Sequence, residues 1–157
     1  MDKDKILREQ LLAFLFGRNA HVNLEDSIKN FPQNFINRKD NTIPYSPWEL
    51  LEHLRIAQWD ILEFMLNPIH ISPEFPKGYW PEKKYKASWN DWKNTVLGIK
   101  SDREQIKSII QDKSIDILSE IPHAPGYTYF RELLLIADHN SYHVGCMVSL
   151  RRILGIW

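Results

Sequence analysis

Cysteine is nearly absent from this sequence, and neither sign of charge is in excess. The one cysteine among 157 residues, Cys146, cannot form a disulfide within the chain, so a reducing, cytoplasmic compartment is expected. Basic and acidic residues number 20 each, which gives no basic footprint for a nucleic-acid partner or an anionic membrane. The longest apolar runs, Leu11–Phe16 and Leu133–Ala137, are far too short to span a bilayer.

Several motifs of common enzymes are also missing. The sequence contains no glycine-rich phosphate loop, paired-cysteine zinc motif or Gly-x-Ser-x-Gly elbow. No helical Glu-x-x-His motif occurs, which disfavours a ferritin-like di-iron centre. No alternating strand pattern, internal repeat or low-complexity segment is found either. The lack of a strand pattern, together with the helical spacing of apolar residues, favours an all-α protein.

Apolar spacing and capping residues predict four long helices. They are expected over Lys3–Phe16, from the Ser46 cap to about Leu66, from the Ser88 cap to about Ile110, and from the Thr128 cap to about Leu154. A short capped helix is predicted at Asn23, and residues 113–119 are predicted to form one or two helical turns. Residues 67–87 carry several prolines and are predicted to be irregular. The economical fold is a single four-helix bundle over residues 1–157.

His139 and His143 lie four residues apart in the last predicted helix. Four helical residues advance about 6 Å and turn about 40° past one full turn, so both rings leave the same face. A third histidine, His53, lies in the middle of the second long helix. Three imidazoles from two facing helices can bind one metal ion and leave a coordination position open, as catalytic zinc sites do.

An alternative interpretation is open for these histidines. A pair four residues apart arises by chance in about one in five chains of this composition, so the spacing alone is a weak motif. In this interpretation the histidines lie on helix surfaces, or they are buried with their hydrogen bonds satisfied and bind no metal. The metal hypothesis is favoured by the helical flanks, the apolar surroundings and the third histidine on another helix.

Three carboxylates are candidates to orient the imidazoles. Glu49 and Asp60 share the helical face of His53, and Glu132 lies two turns before His139. Metal-bound imidazoles usually donate their second N–H to a carboxylate or a carbonyl. Alternatively, these carboxylates cap helices, pair with basic residues or face water.

Other polar and aromatic residues receive weaker interpretations. Cys146 follows the histidine pair at helical spacing but lies about 10 Å along the axis from His139, too far to bind the same ion. It is expected to line the pocket or to fill the core. His21 is expected to be a surface or loop-bonding residue, and His70 and His123 are assigned no role. Tyr79-Trp80 is a candidate wall of a ligand pocket, and Arg151-Arg152 is typical of a helix C-terminus.

Longer stretches of the chain resemble a known family. Ser46-Pro-Trp-Glu-Leu-Leu-Glu-His53, Gly78-Tyr-Trp-Pro81, Ala137-Asp-His139-Asn-Ser-Tyr-His143-Val-Gly145 and Leu150-Arg-Arg-Ile-Leu-Gly155-Ile-Trp157 look like the DinB-like (damage-inducible) family of metal-dependent enzymes. The likeness extends from the first helix to Trp157. Its hallmark is one separate histidine plus His-x-x-x-His. The chain departs from the family at Cys146, where relatives often carry glutamine.

The resemblance implies a structure and a class of activity. It implies an up-down-down-up four-helix bundle, often homodimeric, with one divalent ion, typically zinc or nickel, held by His53, His139 and His143. Relatives include hydrolases and transferases that act with low-molecular-weight thiols, so a small-molecule substrate or such a thiol is the expected partner. A three-histidine ion with an open position acidifies water or a thiol, or polarises a carbonyl. No catalytic residue is assigned, and a non-catalytic metal-binding stress-response module is the alternative function.

Overall fold

The computed structural model describes residues 2–157 and is mainly helical, in agreement with the predicted all-α class. Within these residues there are five α-helices: α1 (Lys3–Phe16), α2 (Leu24–Ile28), α3 (Pro47–Leu66), α4 (Trp89–Gln111) and α5 (Tyr129–Ile153). Single 3-10 turns lie at Gln33–Phe35 and Lys77–Tyr79. None of the helices in this described range is both long and apolar enough to cross a membrane.

The starts of the long helices are fixed by side chains that satisfy free backbone N–H groups. At α3, the Ser46 hydroxyl accepts from the Glu49 amide at 3.3 Å, and the Glu49 carboxylate accepts from the Ser46 amide at 2.7 Å. Ser88 and Asp91 form the same capping box at α4, and Thr128 caps α5. Each such cap is worth about 1 kcal/mol, which explains why the predicted starts are confirmed.

The segment before α5 differs from the prediction of a short helix at residues 113–119. Two tight turns occur there, because the Asp112 carboxylate accepts from the Ser114 amide at 2.8 Å and that of Asp116 accepts from the Leu118 amide at 3.0 Å. Such side-chain hydrogen bonds occupy backbone N–H groups that would otherwise form the hydrogen bonds of a helix. The predicted helical turns were therefore wrong.

A small β-hairpin follows these turns, although the sequence predicted no strand. Strand β1 (Glu120–Ile121) pairs antiparallel with β2 (Ala124–Thr128). The strands are too short, and β2 contains too much proline and glycine, for an alternating pattern to show. Residue Thr128 ends the hairpin and caps α5, so the hairpin sets the start of the helix that carries two of the candidate ligands.

Helix α3 packs against both α4 and α5. The Trp48 indole N–H donates to the Thr95 hydroxyl at 3.3 Å, and the Gln58 amide donates to the Ile99 carbonyl at 3.1 Å. Residue numbers therefore rise in the same direction along α3 and α4. Helix α5 runs the opposite way, because Asn140 donates to Gln58 at 3.1 Å while Phe64 lies near the hairpin residue Tyr127.

Helix α1 is held against α4 by two arginines. The buried Arg8 guanidinium donates to the Ile110 carbonyl at 2.8 Å, and Arg103 donates to the Leu15 carbonyl at 3.1 Å. These contacts make α1 antiparallel to α4. Arginine suits this role because its planar donors can satisfy several carbonyl groups at once.

The apolar core consists of two buried clusters. The cluster near the amino end of α3 includes Leu50, Leu51 and Leu54, and it surrounds the segment that carries His53. The second cluster, which includes Leu62 and Ile106, lies toward the other end of α3. A fully buried aliphatic side chain of this size stabilises the fold by about 1.5–3 kcal/mol, so the backbone around His53 is firmly packed.

Candidate metal centre

Three imidazoles from α3 and α5 converge on one point. The Nε2 atom of His53 lies 3.0 Å from Nε2 of His143 and 3.2 Å from Nε2 of His139. One ring nitrogen from each residue lies within 4.8 Å of the other two. The structure thus brings together the three histidines that the spacing and the resemblance singled out. The group could hold a metal ion.

The hydrogen bonding of His53 fixes where its proton lies. Its Nδ1 atom is 2.7 Å from the backbone carbonyl of Tyr79, which can only accept, so Nδ1 carries the hydrogen. In the neutral ring Nε2 then presents one lone pair toward both His139 and His143. One lone pair cannot accept good hydrogen bonds from two donors, whereas a cation would satisfy all three nitrogens.

The distances between the nitrogens also fit a shared ion. Two nitrogens bound to one zinc ion at about 2.0–2.1 Å with tetrahedral angles lie about 3.3 Å apart. The observed separations from His53, 3.0 and 3.2 Å, are close to that value. The two separations from His53 therefore fit a shared divalent ion.

Burial keeps these rings neutral and ready to act as ligands. Desolvation lowers the pKa of His143 to about 3, with further lowering by the neighbouring His139 and His53. Desolvation and the charge of His53 lower the pKa of His139 to about 4. Burial also lowers the pKa of His53, against an opposing effect of its bond to Tyr79. Metal ions bind neutral imidazole, so little proton competition occurs near pH 7.

Aromatic rings form one wall of the cluster. The Trp80 ring stacks on the His53 imidazole, with centroids 4.1 Å apart and planes 4° from parallel. Tyr45 stacks in turn with Trp80 at 5.5 Å. On α5, Tyr142 meets His143 edge-on at 4.8 Å. His139 is half-buried, whereas His53 and His143 are buried, so His139 is the most solvent-accessible of the three residues.

The three carboxylates proposed to orient the rings bond elsewhere. Glu49 accepts from the Ser46 amide and pairs with Lys39 at 2.8 Å, in its capping role. Glu132 is buried and pairs with Arg131. Among residues 2–157 neither carboxylate accepts a hydrogen bond from the three histidines. Both contacts match the alternative interpretation, in which these carboxylates cap helices or pair with basic residues.

Asp60 is connected to the histidine cluster indirectly, through Tyr79. Its carboxylate accepts from the Tyr79 hydroxyl at 2.6 Å and from His70 Nε2 at 2.7 Å. Tyr79 also supplies the carbonyl that bonds His53, so Asp60 anchors the residue that orients the ring. The sequence predicted that Tyr79-Trp80 forms a pocket wall. It did not predict the bond from His53 to the Tyr79 carbonyl or the bond between His70 and Asp60.

The remaining candidates lie outside the cluster. His21 is exposed and bonds the Val22 carbonyl at 2.8 Å, and His123 bonds the Phe64 carbonyl at 2.9 Å. Cys146 is a half-buried free thiol. Burial and a hydrogen bond with this thiol raise the pKa of Tyr45 to about 12. Cys146 thus lies near Tyr45 and packs against the core cluster at the amino end of α3.

No protein-family model, curated protein or solved structure matches the chain. The functional assignment therefore rests on the residues and on their geometry.

Proposed function

We propose that His53, His139 and His143 hold one divalent metal ion in a site with an open coordination position. The observation that carries this proposal is the approach of His53 Nε2 to Nε2 of both other histidines, at 3.0 and 3.2 Å. Imidazole ligands suit zinc and nickel, which are the ions that we propose. The carbonyl of Tyr79 fixes the tautomer of His53 for this role, as partners of metal-bound histidines generally do.

We further propose that the chain is a single DinB-like domain with an up-down-down-up four-helix bundle. Support comes from the direction of the contacts: α3 and α4 run the same way, and α1 and α5 run opposite to them. Such bundles commonly place metal ligands on facing helices. The family resemblance lies in four stretches, and two of these contain the three histidines.

The proposed activity is metal-dependent hydrolysis of a small molecule or transfer to a low-molecular-weight thiol. When bound, the ion supplies Lewis acidity, which makes water or a thiol more acidic and polarises a carbonyl. The chain itself supplies three clustered imidazoles, an aromatic wall at Trp80 and a partly solvent-accessible His139.

Elemental analysis of the purified protein and of three single variants tests the metal proposal. His53→Ala, His139→Ala and His143→Ala should each lose most of the bound metal while keeping the far-UV circular dichroism of a helical protein. His21→Ala is the matched control, because His21 is exposed and bonds only its neighbour Val22. Full occupancy in any of the three ligand variants would reject that ligand.

A second measurement separates an enzyme from a metal-binding module without catalysis. A small thiol is titrated into the cobalt-substituted or nickel-substituted protein while the visible spectrum of the metal is recorded. A new charge-transfer band would show an exchangeable coordination position, as the enzyme proposal requires. An unchanged spectrum at saturating thiol would favour the non-catalytic module.

A further inference from the structure

A cavity of about 500 Å³ lies beside the aromatic pair Tyr45 and Trp80. Pockets of roughly 300–1,000 Å³ accommodate typical small organic ligands. The cavity is lined by Lys39, Pro44, Tyr45, Glu49, Trp80, Pro81, Lys83 and Lys84. It thus combines two aromatic rings, two prolines and three lysines in a chain whose total charge is balanced.

The cavity shares its wall with the candidate metal centre. Trp80 lines the cavity and also stacks on His53 at 4.1 Å. Tyr45 lines the same cavity and stacks with Trp80 at 5.5 Å. A flat apolar group bound against these two rings would lie one aromatic layer away from the three histidines. Such rings give large apolar contact with a defined orientation.

The charges around the cavity leave two lysines free. Lys39 is paired with Glu49 at 2.8 Å, so these two charges offset one another. Within residues 2–157 neither Lys83 nor Lys84 forms an ion pair, and both are exposed residues of the cavity lining. Lys84 also has a φ of 78°, a left-handed conformation that is uncommon for residues other than glycine and asparagine. Unusual backbone conformations are often found where a ligand binds.

We propose that this cavity binds a small organic anion, with an aromatic or apolar body against Tyr45 and Trp80 and a carboxylate or phosphate at Lys83 and Lys84. The inference goes beyond the proposed function, because it names the ligand class of a second site that shares the Trp80 ring with the candidate metal centre. Its binding step does not itself need the ion. The two proposals can therefore fail separately.

The test measures binding of 2-naphthoate and of its neutral analogue 2-naphthalenemethanol to the zinc-loaded protein by calorimetry. The double variant Lys83→Gln/Lys84→Asn removes both charges, and asparagine tolerates the left-handed backbone at position 84. We expect the variant to bind 2-naphthoate about tenfold more weakly at low salt, with 2-naphthalenemethanol binding unchanged. Lys86→Gln, in the same exposed segment but outside the cavity lining, is the matched control and should bind like the wild type.

The same titration of His139→Ala separates the two proposals. This variant lacks a metal ligand but keeps the cavity, so 2-naphthoate should still bind and should still need the two lysines. If binding disappears in His139→Ala and persists in the lysine variant, the anion binds the metal alone and the cavity proposal is overturned. Equal affinity of the acid and the alcohol for the wild type would overturn it as well. Absence of metal from the wild type, with lysine-dependent anion binding intact, would refute only the metal centre.

Discussion

The Nδ1 atom of His53 donates a 2.7 Å hydrogen bond to the backbone carbonyl of Tyr79, and the hydroxyl of the same tyrosine donates to Asp60 at 2.6 Å. One residue of the long loop therefore orients a candidate metal ligand with its backbone and is anchored by its side chain. Burial and the bond to Asp60 raise the pKa of Tyr79 to about 12, so the hydroxyl keeps its proton. The loop therefore contributes to the candidate metal centre and is not only a connector.

Removal of this anchor should weaken metal binding without removing a ligand. Tyr79→Phe keeps the carbonyl but loses the bond to the Asp60 carboxylate, which should cost about 1.5–3 kcal/mol of stability. Partners one step beyond the ligands typically change metal affinity by about 10–100-fold. Zinc competition with a chromophoric chelator measures the affinity, and urea unfolding measures the stability. Tyr85→Phe is the control, because Tyr85 makes an equivalent bond to Asp91 on the exposed surface. Equal affinities in the two variants would contradict an orienting role for Tyr79.

The stack of Trp80 on His53 should report metal binding directly. Nickel and cobalt ions quench indole fluorescence at short range, and the Trp80 ring lies 4.1 Å from the imidazole of His53. We expect nickel to quench part of the emission of the wild type, and Trp80→Phe to lose most of that quenching. The Trp59 ring contacts His70 instead, so the emission of Trp59→Phe should be quenched by nickel as in the wild type. Undiminished quenching in Trp80→Phe would place the ion elsewhere.

Much of the helical framework could be predicted because it is encoded locally. The capping box at Ser46 and Glu49 involves residues three apart, and the face shared by His139 and His143 follows from helical geometry alone. The three candidate ligands were found in the same way. Residue type and spacing suffice when the atoms that matter are side chains on regular helices.

The contacts that orient the site could not be predicted because they depend on tertiary structure. Any residue at position 79 has a carbonyl, so no side-chain pattern identifies the group that bonds His53. The pairing of Asp60 with His70 arises only because the loop returns onto α3. The sequence left Glu49 open between a capping role and an orienting role, because both roles use the same residue type.

The role of Arg151 also depends on tertiary contacts that the sequence did not predict. It leads to a third prediction. The sequence indicated an ordinary basic residue at a helix end, but Arg151 is buried and donates to the carbonyls of Ser27 at 2.8 Å and of Ile156 at 3.0 Å. Lysine cannot span both acceptors, so Arg151→Lys should destabilise the fold by about 2–4 kcal/mol in urea unfolding. Arg152→Lys, exposed at the next position, should change stability by less than about 0.5 kcal/mol. Similar losses in both variants would contradict this account.

Asp102 gives a prediction that depends on pH. Its side chain is buried on α4, its Oδ2 atom has no hydrogen-bond partner among residues 2–157, and burial raises its pKa to about 6 from 3.8. A hydrogen bond from Gln58 and the charge of Arg55 oppose this rise without cancelling it. The folded protein therefore binds this proton more tightly than the unfolded chain does. The associated stability is fully present below about pH 3.8 and is lost as the pH rises through about 6.

Asp102→Asn removes the ionisation and should therefore stabilise the protein at high pH. We expect a gain of about 1–3 kcal/mol at pH 8 that declines toward pH 4, where the wild-type carboxyl is itself neutral. Urea unfolding at matched pH values measures the free energy of unfolding of the variant and of the wild type. The contributions of other titrating groups cancel in the difference between the two. Glu104→Gln, exposed on the same helix, is the control and should show only a small change at either pH. A gain that stays the same from pH 4 to pH 8 would mean that the side-chain amide, and not the loss of a buried charge, stabilises the variant.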